Sequence, residues 1–123
     1  MLRSMMQIYT IGSDKAVELY KRAFGAKVGA AYPNDDGTFM HVELDVFGQC
    51  VAISELPPGA ALTPGNTAQF CLHLGEGRAD KVRQAYEVLQ EEAEIQSPIG
   101  ECIFSPLMFS LVDRFGVNWC VFE

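Results

Sequence analysis

Basic residues are scarce in this sequence: nine Lys and Arg stand against sixteen Asp and Glu, a formal net charge of -7 over 123 residues. That balance repels phosphate backbones and anionic membranes, and no local Lys/Arg cluster reverses it. Nucleic acid is therefore not an expected partner. Apolar runs are short as well; none approaches the roughly 20 residues that span a bilayer, so no membrane partner is expected either. Residues Met1 to Thr10 carry no apolar stretch followed by a small-residue cleavage site. Cys50, Cys71, Cys102 and Cys120 form no C-x-x-C pair. They read as reduced, mostly buried thiols of a cytoplasmic protein. Histidine occurs only twice, and phosphate loops, G-x-G-x-x-G, Ser-His-Asp and zinc-knuckle patterns are all missing.

What is present is apolar and aromatic. Hydrophobic residues make up 49% of the chain, with eight Phe, four Tyr and one Trp, enough for a core without covalent staples. The length suits one compact domain, or two very small halves sharing a core. Met5–Ile11 reads as a strand, and Gly12-Ser13-Asp14 offers turn and N-cap chemistry. Ala16, Leu19, Tyr20 and Ala23 then form one apolar helical stripe, which Gly25 ends as a left-handed cap. Val28–Tyr32 is a strand, and Thr38–Phe47 with Cys50–Leu56 is a hairpin around Gly48-Gln49.

Residues 57–67 hold three prolines and two glycines and form the only linker-like passage. After it the order repeats. Ala68–Leu74 is a strand; a helix from Ala79 carries Val82, Ala85, Tyr86 and Leu89 on one face. A short strand at Glu94–Ser97 follows, broken by Pro98-Ile99-Gly100, and strands at Leu107–Val112 and Val117–Phe122 close the chain. The pattern predicts a single α+β domain over 1–123, made of βαβββ modules 1–58 and 66–123 joined by loop 57–67. Its sheets would be curled and mainly antiparallel. A ferredoxin-like sandwich shares short β–α–β–β units, but the extra strands of each half argue against it.

Three segments carry a resemblance. Ala16–Ala26 looks like the first helix of the PhnB-like branch of the vicinal-oxygen-chelate superfamily, which gathers glyoxalases, bleomycin-resistance proteins and dioxygenases. Met40-His41-Val42-Glu43-Leu44 followed by Val51-Ala52-Ile53-Ser54-Glu55 is similar to its hairpin. Asp113-Arg114-Phe115-Gly116-Val117-Asn118-Trp119 matches its closing D-x-F-G-x-x-W motif. The resemblance spans about residues 7–122 and implies a glyoxalase-like fold whose sheets curl around a pocket, usually in a homodimer. Labels for the branch include a methyltransferase-like name, but nothing in the sequence suggests a methyl-donor site.

Metal-using members of the superfamily hold a divalent ion with four ligands from the first and fourth strands of each half. By position these are Gln7, Gln69, Glu55 (or Ser54) and Cys120, where a glyoxalase has Glu. Two amides, one carboxylate and one thiol are a weak set for Mg²⁺, Mn²⁺ or Ni²⁺. No cofactor is therefore expected; if a metal binds, its ligands would be Gln7, Glu55 and Gln69. His41 shares a strand face with Glu43 and Asp45, either solvated or lining the pocket. His73 shares a side with Gln69 and Cys71, from which it could meet a ligand. Cys120 as a catalytic thiolate lacks a nearby cation in sequence.

Trp119 is expected to line the pocket. It alternates with Val117 and Val121, against Asn118, Cys120 and Phe122, so this requires a bulge after Gly116 that reverses the faces. The expected pocket is thus Gln7, His41, Glu55, Gln69, His73, Trp119 and Cys120. Two functions fit: binding of a small apolar or aromatic molecule without a conventional metal site, or a metal-dependent lyase, isomerase or dioxygenase. The weak ligand set favours binding. The small halves and the resemblance also imply a homodimer. Light scattering at tens of micromolar should give twice the chain mass; a monomer mass would refute it.

Overall fold

Parity explains the architecture, because alternate strand residues face opposite sides of a sheet. The computed structural model describes residues 2–123. Its elements are β1 (Met6–Thr10), α1 (Ser13–Phe24), β2 (Lys27–Pro33), β3 (Phe39–Val46), β4 (Gln49–Glu55), β5 (Phe70–His73), α2 (Ala79–Leu89), β6 (Glu94–Cys102), β7 (Ser105–Val112) and β8 (Asn118–Phe122). They fall into two compact units, the first ending at Leu62 and the second starting at Thr63. Each is a βαβββ unit with one mixed sheet, ordered β1-β4-β3-β2 and β5-β8-β7-β6. The β1–β4 and β5–β8 pairs are parallel and the other pairs antiparallel. This is the expected α+β class. The ferredoxin-like alternative fails because each helix serves a four-stranded sheet of its own.

In the first unit, α1 buries Ala16, Leu19, Tyr20 and Ala23 against one sheet face. Ile8, Val42, Leu44, Val51 and Ile53 supply the sheet side of that core. Gly25 ends the helix at φ 64°, and its N–H donates to Lys21 O. The β3–β4 hairpin turns on Phe47 and Gly48, both at positive φ, one residue earlier than expected. Phe47 accepts the left-handed conformation while its ring packs edge-on against Phe24.

In the second unit, α2 packs Val82, Ala85 and Leu89 toward β7 and β8, and the Tyr86 ring lies 5.0 Å from Phe109. The expected break at Pro98 does not occur, and β6 runs through it to Cys102. Register shifts between Ile95 and Cys102 absorb the irregularity, and β6 is an edge strand with one side free of pairing, where proline is tolerated.

The closing motif proves to be a structural joint. Asp113 Oδ1 accepts the N–H groups of Phe115 and Val117, and Oδ2 accepts the Trp119 indole N–H at 2.8 Å. Gly116 supplies the positive φ that the turn needs. Pairing then runs without interruption from Val112↔Asn118 to Met108↔Phe122. The bulge that would have turned Trp119 into the pocket does not form. Trp119 is 0% exposed and stacks edge-on against Phe70 in the helix-side core.

Two outcomes follow. Trp119 fluorescence should be blue-edged and shielded from acrylamide. Asp113→Ala should lower the unfolding free energy by about 3 kcal/mol, because it removes the acceptor of three N–H donors, two of them in buried bonds. Urea titration checks the size; a loss below about 1 kcal/mol would contradict the joint.

Candidate functional site

Each sheet has one face packed under its helix and one free of it. In the first unit the helix-free face carries Gln7, Tyr9, Cys50, Ala52, Ser54, His41, Glu43 and Asp45, all out of phase with the core residues. Gln7 Nε2 donates to Ser54 Oγ at 3.0 Å across the β1–β4 pair. Arg3 donates twice to Glu43, at 3.0 and 2.9 Å, and His41 Nε2 lies 3.1 Å from the same carboxylate. The Arg3 bonds, helped by His41, hold the Glu43 carboxyl down at about 2. Tyr32 leans over His41 with ring centres 6.2 Å apart. A hollow of about 200 Å³ beside these groups is lined by Arg3, Gly29, Glu43 and Cys50 among others. That is below the roughly 300 Å³ at which small-molecule pockets begin, so it suits a substituent, not a whole ligand.

The second unit repeats the arrangement. Gln69, just before β5, donates from Nε2 to Asn118 Oδ1 at 3.0 Å, a glutamine contact like that of Gln7 with Ser54 but made to a residue two positions earlier in the strand register. Cys71 and His73 share its side, opposite Cys120 and Phe122 of β8. The His73 ring stacks on Phe122 at 4.6 Å, and Phe104 meets Phe122 edge-on at 5.1 Å. Half-buried Met108 is the β7 partner of Phe122. Cys120 is 7% exposed. Burial, reinforced by the adjacent Cys71, pushes its thiol up to about 11, so it stays protonated near neutrality.

Glu55 is elsewhere. It follows Val51 and Ile53 on the α1 side of β4, and its carboxylate meets the start of the helix. Oε1 accepts the Ser13 N–H at 2.7 Å and Oε2 the Gly12 N–H at 3.0 Å. The cap expected from Gly12-Ser13-Asp14 thus comes from another strand, and Ser13 Oγ instead accepts the Phe39 N–H. Burial by itself would raise the Glu55 carboxyl, but the Ser13 and Gly12 amides outweigh it and hold it below the usual range. Glu55 is therefore withdrawn from the expected pocket, as Trp119 is. The remaining five residues divide between the units: Gln7 and His41 in the first, Gln69, His73 and Cys120 in the second.

The donor set does not fit the divalent ion of the metal-using members. Both Glu55 oxygens hold helix amides and Cys120 keeps its proton, which leaves only the two neutral glutamine amides of the set. Among the described residues, no three His, Cys, Asp or Glu side chains gather as a metal ion needs. Sequence reasoning missed Arg3, which lies outside any element, and Ser54 and Asn118 as glutamine partners. The module repeat gives no signal for the last two, because Ser54 and Asn118 stand at different register positions relative to their glutamines.

Neither a family model nor a curated protein gives a significant match to the sequence. Solved structures do. A Pseudomonas aeruginosa protein, PA1353, superposes at TM-score 0.76 with 21% identity, covering 97% of this chain and 96% of its own. A PhnB protein from Bacillus cereus gives 0.77 at 17% identity with 98% of each chain covered. The fosfomycin resistance protein FosX of Listeria monocytogenes gives 0.71 at 10%, covering 97% and 90%. The fold is the glyoxalase-like α+β fold that these structures share. Within this fold, the closing motif now has a physical role, since Asp113 ties the last turn to Trp119.

The Glu55 contact has a pH signature. Its pKa is lower folded than unfolded, so its contribution is complete above the unfolded value of about 4.3 and is lost as pH falls through the folded value. Glu55→Gln offers one acceptor in place of two, so it should lower stability by about 1 kcal/mol at pH 7 and flatten the decline below about pH 4.5. Urea midpoints from pH 7 to 3 check this; an unchanged acid limb would refute the contact.

Proposed function

We propose that this protein binds a small apolar or aromatic molecule against a helix-free sheet face, without the divalent ion of the metal-using members. The observation that carries this is the engagement of both Glu55 oxygens by the α1 amides, which removes the one carboxylate of the implied ligand set. The faces themselves support it. Tyr9 and Tyr32 are exposed in the first unit, and His73, Phe122, Phe104 and Met108 offer stacking and soft apolar contact in the second. Aromatic pairs at such separations favour flat guests, while the glutamines, Ser54 and Asn118 supply a few oriented polar contacts.

The test uses Nile red as a neutral probe with chelator-treated protein. Saturable binding at one site per chain is expected, unchanged by EDTA or by added Mn²⁺ or Ni²⁺. His73→Ala should weaken it about 5-fold, the loss of roughly 1 kcal/mol of ring contact. Binding that appears only with the metal, together with a tight metal site abolished by Glu55→Ala, would favour the metal-dependent enzyme instead.

A further inference from the structure

The second unit holds two cysteines as strand partners. Cys71 on β5 lies opposite Cys120 on β8 in parallel register, and both side chains leave the sheet on its helix-free face. Opposed residues of neighbouring strands sit about 4.8 Å apart, inside the roughly 4.4–6.8 Å range that a disulfide requires between Cα atoms. The two thiols influence each other, since Cys71 adds to the burial that raises the Cys120 thiol, and Cys71 Sγ lies 3.8 Å from Gln69 Oε1. We infer that Cys71 and Cys120 are a dithiol pair that closes to a reversible intrachain disulfide on exposure to a peroxide.

The two thiols have different surroundings, and this assigns the order of events. Cys71 is exposed and meets the oxidant, whereas Cys120 is buried. The Cys71 thiolate attacks one peroxide oxygen; an S–O bond forms, the O–O bond breaks, and the departing oxygen leaves as water after taking up a proton. Cys71 is then a sulfenic acid. The Cys120 sulfur attacks it, the S–S bond forms as the S–O bond breaks, and a second water carries away the Cys120 proton. Two thiols thus become one disulfide while the peroxide is reduced to two waters. Cys102 is on β6, separated from β8 by β7, whereas Cys71 and Cys120 are direct register partners. The bond would fasten β5, a four-residue edge strand, to its neighbour β8.

This goes beyond the binding reading, and its test needs no ligand. Full-length reduced protein is treated with hydrogen peroxide, then its thiols are counted and its peptides mapped. Two of the four free thiols should disappear, with monomer mass lower by two hydrogens, one linked peptide pair holding Cys71 and Cys120, and full reversal by dithiothreitol. Cys71→Ser, at an exposed position, should leave Cys120 reduced. Cys120→Ala should leave Cys71 as a sulfenic acid that dimedone traps. The double variant Cys50→Ser, Cys102→Ser should still form the bond. A link to Cys50 or Cys102, a link only between chains, or survival of all thiols under peroxide that oxidises free cysteine would overturn the inference.

Discussion

A carboxylate at the end of β4 holds the N-cap amide and the first amide of α1, with Glu55 Oε1 on Ser13 and Oε2 on Gly12. Those N–H groups have no partner within the helix, and a negative charge at that end also meets the positive pole of the helix dipole. The contact ties the last strand of the unit to its helix across 42 residues of sequence. It requires Glu55 to follow Val51 and Ile53 toward the helix, so Ser54 is the residue turned to the opposite face. The chemistry of that face depends on this: its β4 member is a hydroxyl held by Gln7, not an anion.

The second unit uses a carboxylate in a related way at a different place. Asp113 gathers three donors around the β7–β8 turn and anchors the indole of Trp119 in the core. In both units an acid residue in a family-like motif serves the backbone. Buried donors without acceptors are costly, so these contacts tolerate little change, which makes the motif a mark of the fold more than of any reaction. Fold does not by itself fix function, and the binding proposed above draws on the side chains of the helix-free faces: glutamine amides, small hydroxyl and amide partners, aromatic rings and thiols, beside the charged cluster of Arg3, His41 and Glu43.

Much of this was legible from alternation alone. The stripes of α1 and α2, the paired βαβββ order and the linker near residue 60 rest on patterns that repeat once along the chain. The side occupied by His41, Glu43 and Asp45 follows from the burial of Val42 and Leu44. Glu55 was misjudged because parity does not reveal a long-range partner: its acceptor role depends on amides 42 and 43 residues away. Trp119 was misjudged for the opposite reason. Strand alternation had placed it in the core, and a bulge was invoked to bring it out; the Asp113 turn leaves the register intact. Pro98 was read as a break because sequence does not say which strand is an edge.

The central claim is that Glu55 serves α1 and is not available to a metal. Carbon-detected NMR titration of the Glu55 side-chain carboxyl tests it most directly, in the presence and absence of Mn²⁺-free divalent ions such as Mg²⁺ and Zn²⁺. The account predicts a midpoint below the ordinary glutamate value and a resonance that those ions leave in place. A midpoint at or above the ordinary value, or a carboxyl resonance that moves with one equivalent of ion, would contradict it.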